Sequence, residues 1–290
     1  MDDRDLLARV QAVIGREQTL DDCAVLPLGG EYLVATTDML HETTDFPRGM
    51  TPWQMGWMAV AVTISDIAAM GADPRAVLLA IGLDDAERLL PIMEGAHDCC
   101  RAFGAELAGG DLDAHTELTI VSSGIGTVSP EHLVRRRGAR PGDVVAVTGR
   151  LGEAQAALAG YDHLTLRLLE PQPRVAAGRA LGRAGATAMM DISDGLALSL
   201  YDLQAAGGYG FAVDTRRLPL PAGVPEKEGC EFALYGGGDF ELLFTCPEDI
   251  LPVPGVEAVV VGRVIEEPRV LADGAVLERR GYQHRWSGEG

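Results

Sequence analysis

The sequence predicts a two-domain protein of mixed α+β and α/β build. Three observations carry this. Helix-like and strand-like patterns alternate along the chain. A polar, turn-rich stretch, SPEHLVRRRGARPGD (129–143), separates them into two sets. The 290 residues, 47% of them hydrophobic, suffice for two cores. An N-terminal domain is expected over residues 1–135 and a C-terminal α/β domain over 136–290.

Residues 1–15 read as a helix with Leu6, Leu7, Val10, Val13 and Ile14 on one face. Short strands follow near 23–27 and 31–37. Thr51-Pro52 opens a helix, as N-cap and first-turn proline, and Gly71 closes it. Between them WQMGWMAVAVTISDIAAM is apolar nearly all round, which predicts a buried helix. A strand near 76–82, a helix near 86–103 and strands near 105–109 and 117–127 complete the first set. In the second set, GDVVAVTG reads as a strand and LGEAQAALAG as a helix. A helix near 173–185 precedes the apolar MMDISDGL, and a helix near 195–206 is followed by strands near 210–214, 240–245 and 257–264.

Composition excludes several functions. A net charge of −19 argues against a nucleic-acid partner and suits a protein that gathers divalent cations. The acidic opening MDDRDLLARV lacks a signal-peptide layout, and the longest apolar stretch, about 55–64, is too short to cross a bilayer. A soluble, cytoplasmic protein with no membrane partner is expected. Cys23, Cys99, Cys100, Cys230 and Cys246 form no C-x-x-C pair, so reduced thiols fit better than a zinc ribbon or disulfide framework. Lys227 is the only lysine, which rules out a P-loop and the strand lysine of protein kinases. Phosphates here must be met by arginines, backbone N–H groups and metal ions held by carboxylates.

The informative residues are aspartates in awkward places. Asp66 lies in VAVTISDIAAMGADP on the buried helix, where an unpaired carboxylate costs several kcal/mol. It reads either as a cation ligand or as an acid bonded to an arginine or helix N-terminus. Asp38 follows Thr36 and Thr37 at the end of YLVATTD, and Asp111 ends ELAGGD. Each is a turn acid or a ligand. Asp21-Asp22 either caps the strand CAVLPL or binds metal, and Asp191 and Asp194 flank Ser193 at a helix start. Taken together, several of these acids are expected to end strands or start helices, where side chains can converge on one sheet edge, and their mutual repulsion in one cleft would call for divalent cations. Oxygen-only donors with threonine hydroxyls alongside suit Mg²⁺.

Histidine ligands are not evident: the six histidines show no H-E-x-x-H. RRRGARPGD (135–143) is a solvated charge run or a phosphate clamp, and VTGRLGEA (147–154) a tight connection or an anion-binding turn. YGGGDFELLF (235–244) is a hairpin approach or a loop closing over a ligand. No G-x-S-x-G or Cys-His setting for a nucleophile is present.

DDCAVL (21–26), ATTDML (35–40), SDIAAMGADP (65–74), AGGD (108–111), RRGARPGD (136–143), VTGRLG (147–152), DISDGL (191–196) and GGGDFELLF (236–244) occur in this order. Over about 21–286 the chain thereby resembles the thiamine-monophosphate kinases of the aminoimidazole-ribonucleotide-synthetase-like superfamily. TTDMLHETTDFP (36–47) is similar to their archaeal branch. The resemblance implies an N-terminal sheet that pairs into a dimeric β-barrel beside a C-terminal α/β domain, hence a homodimer. It implies ATP as co-substrate, several Mg²⁺ ions and in-line phosphoryl transfer to thiamine monophosphate, with no single catalytic base. By motif, Asp22, Thr36, Thr37, Asp38, Asp66, Asp111, Asp191 and Asp194 become metal ligands, Asp66 and Asp111 being the most important. Gly110, Asp111, Arg136 and Ser193 contact ATP, and Asp45, Gly238, Asp239 and Trp286 face the acceptor.

The chain departs from the family at Gln18-Thr19-Leu20, at Leu112, at Asp45 where many members have histidine, and at Gly238 where glutamate is usual. Two competing readings remain. One is another ATP-using member of the superfamily, of the purine-synthesis, selenophosphate or hydrogenase-maturation type. The other is a non-catalytic dimer that binds nucleotide or metal.

Overall fold

One helix, α2 (Pro52–Ala69), organises the computed structural model, which describes residues 3–284. Its start is a capping box: Gln54 N–H donates to the Thr51 side chain, and the Gln54 side chain accepts from Thr51 N–H, with Pro52 next. Gly71, at φ 70°, ends it. Fourteen of its residues are buried, from Met55 to Ala69, so an apolar all-round sequence does give a helix enclosed on every side.

Around α2 run, in chain order, α1 (Asp3–Ile14), β1 (Ala24–Leu28), β2 (Glu31–His41), β3 (Asp73–Leu83), α3 (Leu89–Phe103), β4 (Glu106–Ala114) and β5 (Thr119–Val128). The strands form a five-stranded sheet in the order β1-β2-β5-β3-β4, antiparallel except for the parallel β3/β4 pair. Val77, Leu79, Ile81 and Ile120 point to one face and pack under Met58, Ile64, Ile92 and Cys99 of α2 and α3. Leu26, Leu28, Met39 and Leu78 remain exposed on the other strand positions.

The second half contains β6 (Val144–Thr148), α4 (Glu153–Leu158), α5 (Thr165–Leu169), α6 (Val175–Ala184), β7 (Ala188–Ile192), α7 (Leu196–Gly207), β8 (Gly210–Val213), α8 (Glu226–Tyr235), β9 (Glu241–Cys246), β10 (Ala258–Ile265), β11 (Val270–Ala272) and β12 (Ala275–Val276). Its seven-stranded sheet has the order β12-β11-β8-β10-β6-β9-β7. Every residue of β6 is buried because both faces are covered. Val145 and Val147 join Ile192, Leu200 and Phe211 on one side, while Val144 and Ala146 join Leu181, Met189 and Phe244 on the other. Helix α2 reaches this half too: Ala69 packs into the latter cluster, and the Trp57 indole N–H donates to Pro171 O at 2.9 Å.

Several elements differ from expectation. The strands expected to stop at 37 and 109 continue to His41 and Ala114, so Asp38 and Asp111 lie inside strands rather than at their ends. Ladder pairing with β5 and β3 sustains them despite their polar sequence. MMDI is a strand, β7. Helix α8, with Gly229 in its middle, and the short α5, β11 and β12 had no clear periodicity. Helix α1 forms where expected, but none of its residues is buried. Among the described residues no helix is long and apolar enough to cross a membrane, and the five cysteines are free.

Where α2 crosses α3, glycines let the two backbones touch. A Cβ on Gly95 would sit 1.8 Å from Trp53 O, and one on Gly56 would sit 1.9 Å from Ile92 O. Gly95→Ala must therefore push the helices apart, and we expect a loss of about 3 kcal/mol, read as a lower urea midpoint. An unchanged midpoint would show that the crossing adjusts without cost.

Candidate active site

The C-terminal half of α2 carries Thr63, Ser65 and Asp66 into a space bounded by both sheets. Carboxylate oxygens of Asp22, Asp66 and Asp191 all lie within 4.8 Å of one another. They arrive from separate places: the segment before β1, α2, and the fourth residue of β7. Asp38 of β2 stands close enough to add repulsion to Asp66 and Asp191. Each acid is oriented by a neighbour. Thr36 Oγ1 donates to Asp66 Oδ2 at 2.6 Å, Thr63 Oγ1 to Asp38 Oδ2 at 2.7 Å, and Ser65 Oγ to Asp191 Oδ2 at 2.7 Å.

Among the described residues, Arg136 alone brings a positive charge into direct contact with this group, through Nε and Nη2 to the two oxygens of Asp22 at 3.2 and 2.5 Å. Arg135 does the same for Asp21, at 2.5 Å from Nη1. The arginine run and the paired acids, read separately in the sequence, thus hold each other and fix the 21–22 segment.

Burial raises the affinity of these carboxyls for protons. It lifts Asp66 well above the usual carboxylate range, with Asp38, Asp191 and Asp22 adding like-charge repulsion against the Thr36 hydroxyl. It pushes Asp191 up to about 7, with Asp22 adding to it and Ser65 and Arg136 opposing. Asp38 and Asp22 are raised for the same first reason, opposed by Thr63 and by Arg136 respectively.

The donor set fits Mg²⁺, since every candidate atom is a hard oxygen. A further sign is Ser122 Oγ, fully buried without a protein partner, whose residue pairs with Asp38 across β5/β2. A hydroxyl left unbonded beside a carboxylate cluster fits water or a cation in that space.

Not every expected residue joins. Asp38, Ser122, Leu79 and Gly110 form one row across the sheet, which puts Gly110 three strands from Asp38, about 14 Å at roughly 4.8 Å per strand. Asp111 is exposed on the edge strand β4 and pairs with Ala80, whose neighbours Leu79 and Ile81 point into the core. Its side chain therefore leaves from the opposite face to Asp38. Thr37 also faces outward, bonded to Ser122 O and Ser123 Oγ. Asp194 lies apart from the cluster, 3.5 Å from Arg4 Nη2 and a third exposed, with a carboxyl raised by burial and lowered by Arg4.

At the other end of the β7–α7 connection, Gly238 N–H donates to Ser193 O at 2.7 Å, and Gly237 lies against Ser193 O and Tyr282 Cβ. Asp45 reaches the same neighbourhood: Oδ2 accepts from His41 N–H at 2.8 Å, and Oδ1 is 4.0 Å from His284 Nε2. The turn-capping use of Asp45 and a place beside the C-terminal segment therefore coexist. Asp239 is half-buried and accepts from Gly152 and Ala154 N–H, so the VTGRLGEA turn is closed by a side chain. Burial pushes Asp239 up to about 7, against those two N–H donors. Trp286 lies outside the described residues.

Sequence reading missed Thr63 and Ser65, although a threonine and a serine just before Asp66 on a buried helix were a signal. It also missed the buried Glu241, which accepts from Thr148 Oγ1 at 2.6 Å and from Arg174, and the Arg4–Asp202 pair at 2.6 Å. An acid inside an apolar strand marked the former; nothing local marked the latter.

A family model, AIR synthase related protein, N-terminal domain, matches residues 20–128. A thiamine-monophosphate kinase of Methanospirillum hungatei is 53% identical over 286 residues, covering 99% of this chain and 100% of that protein. One from Halobacterium salinarum is 44% identical, covering 98% and 100%. A solved structure, AaThiL complexed with AMPPCP and TMP, superposes with a TM-score of 0.90 at 28% identity, covering 98% of this chain and 97% of that one. The mixed α+β fold with two sheets expected from the motifs is the one this solved structure shares.

The raised carboxyls set a pH dependence. Each binds its proton more tightly folded than unfolded, so its stability contribution is full below about pH 4 and lost as pH rises through values near 7 for Asp191 and Asp239. Metal-free protein should thus melt higher at about pH 6 than at about pH 7.5, and Mg²⁺ should raise the melting point more at the higher pH, where the ligands are ionised. Differential scanning fluorimetry reads both. A Mg²⁺ shift that grows on acidification would contradict the carboxylate site.

Proposed function

The chain belongs to the thiamine-monophosphate kinase family, and we infer that it transfers the γ-phosphoryl group of ATP to thiamine monophosphate, giving thiamine diphosphate and ADP. The observation that carries this reading is the buried aspartate cluster in a chain 53% identical, end to end, to a thiamine-monophosphate kinase. A phosphate oxygen of the acceptor forms a bond to the γ-phosphorus as the bond to the β,γ-bridging oxygen breaks, and ADP leaves with that electron pair. The attacking phosphate is already ionised near neutral pH, so no protein base is needed.

Asp22, Asp38, Asp66 and Asp191 would hold Mg²⁺, which supplies positive charge for the phosphates when bound. Thr36, Thr63 and Ser65 keep three of these carboxylates aimed inward. Arg136, locked on Asp22, and Ser193, in the β7–α7 connection, are assigned to ATP. Asp45 and Gly238, with the segment around Tyr282 and His284 between them, are assigned to the acceptor end. Product analysis after incubation with ATP, Mg²⁺ and thiamine monophosphate tests the reading. Thiamine diphosphate and ADP in equal amounts are expected, and Asp66→Asn should abolish both. Turnover only with another acceptor class would transfer the assignment to a different branch of the superfamily.

The working unit is a homodimer on this reading. Leu26, Leu28, Met39 and Leu78 leave an apolar sheet face in water, and β1 and β4 are open edges, a combination that pairing with a second copy removes. Light scattering should give twice the chain mass, and Met39→Glu should shift it toward monomer. Thr37 and Asp111 project from that same face, so their contribution is assigned across the interface. Mixing Asp66→Asn with Asp111→Asn subunits should then restore part of the activity that each lacks alone. No recovery in a mixed population would place Asp111 in its own chain's site.

A further inference from the structure

Helix α1 is attached without burying a single residue, and Arg4 anchors it to α7. Arg4 Nε and Nη2 donate to the two oxygens of Asp202 on α7, at 3.0 and 2.6 Å, and Nη2 lies 3.5 Å from Asp194. Its side chain is 15% exposed. The guanidinium thus bridges Asp202 in the second turn of α7 and Asp194 just before that helix, with no protein acceptor for Nη1 among the described contacts. The surroundings are those of the acceptor end: Tyr282 N–H donates to Asp194 O at 3.0 Å, His284 bonds Asp3 beside Arg4, and Asp45 Oδ1 is 4.0 Å from His284.

A phosphate monoester entering there needs positive charge at its non-attacking oxygens. The single lysine, Lys227, is on α8, and Arg136 is committed to Asp22. Arg135 is committed to Asp21 and Arg174 to Glu241. Arg48, three residues from Asp45, is exposed and has no anchoring carboxylate among the described residues, whereas Arg4 is an arginine at this end that a carboxylate holds in place with a donor edge left over. We propose that Arg4 binds the phosphate of the acceptor through Nη1, Asp202 holding the guanidinium in place, so that α1 carries a substrate-recognition residue rather than serving as a loose N-terminal extension. The proposal rests on the kinase reading and deepens it. A planar, anchored fork meets a phosphate oxygen with little loss of side-chain freedom, which a lysine at the same place would reproduce in charge but not in geometry.

The test is a titration of Mg²⁺- and ADP-loaded protein with thiamine monophosphate and, separately, with thiamine, which lacks the phosphate. Wild-type protein should bind the monophosphate more tightly; equal binding at wild type would overturn the kinase reading and this proposal together. Arg4→Ala should weaken thiamine monophosphate by about tenfold to a hundredfold and leave thiamine within about twofold. KM for the acceptor should rise accordingly while KM for ATP and the Mg²⁺ thermal shift stay unchanged, and Arg4→Lys should recover part of the loss. Asp202→Ala, which frees the guanidinium without removing it, should cost less than Arg4→Ala. An equal loss for both ligands, a parallel rise in the ATP KM, or no change at all would show that Arg4 only straps α1 to α7.

Discussion

Three carboxylates whose oxygens lie within 4.8 Å of each other cannot all stay ionised in a buried space unless something offsets their charge. At such a separation, with an effective dielectric constant of about 20, each ionised pair repels by roughly 3 kcal/mol. The described residues supply one guanidinium, on Asp22, and three hydroxyls, on Asp38, Asp66 and Asp191. Hydroxyls orient a carboxylate and satisfy one lone pair, but they carry no charge. Burial raises the proton affinity of all four acids, and like-charge repulsion adds to it at Asp22, Asp66 and Asp191.

Keeping such a cluster together requires a frame that is stable for other reasons, and α2 provides it. The helix is buried along fourteen residues, crosses α3 at glycine contacts, and touches both sheets. Its C-terminal half then presents Thr63, Ser65 and Asp66 between Asp38 of the first sheet and Asp191 of the second. Because the four acids come from β2, α2, β7 and the segment before β1, the distance among them is set by how α2 seats on both halves. The Asp21-Asp22 segment, which belongs to no sheet at that point, is tied down by Arg135 and Arg136 from the connection between the halves. The polar stretch that marks the boundary in the sequence is therefore also the clamp on one wall of the site.

The sequence disclosed what depends on neighbours along the chain. Thr51-Pro52 and Gly71 bounded α2 correctly because caps are local chemistry, and Asp66 stood out because a carboxylate in an apolar helix has to be accounted for. It could not disclose pairings made over a hundred residues or more. Asp21-Asp22 and the arginine run each had a plausible solitary explanation, and only the fold joins them. Arg4 and Asp202 gave no signal at all, since an arginine in a first helical turn and an acid in a later helix are ordinary surface residues. Asp111 illustrates the reverse limit. Its motif is clear, yet strand parity sends it to the face opposite Asp38, a fact that depends on the extra residue in β4 between its pairings with Val77 and Leu78.

The placement of positive charge has a further consequence for how phosphates enter. Arg135, Arg136, Arg174 and Arg4 each arrive with a carboxylate attached, so the site of a chain of charge −19 offers almost no net positive potential of its own. A free triphosphate approaching the aspartates would meet like charge in a poorly screened space. ATP carrying its own divalent cations would meet the opposite situation, because the same acids would offer those cations carboxylate oxygens and give up their protons. In the proposed reaction the nucleotide and its cations therefore enter as one charge-matched unit. The paired arginines keep only their unused donor edges for phosphate oxygens, a geometry that orients the phosphates without trapping them in so electropositive a well that the product, with one phosphate more than the acceptor, could not leave.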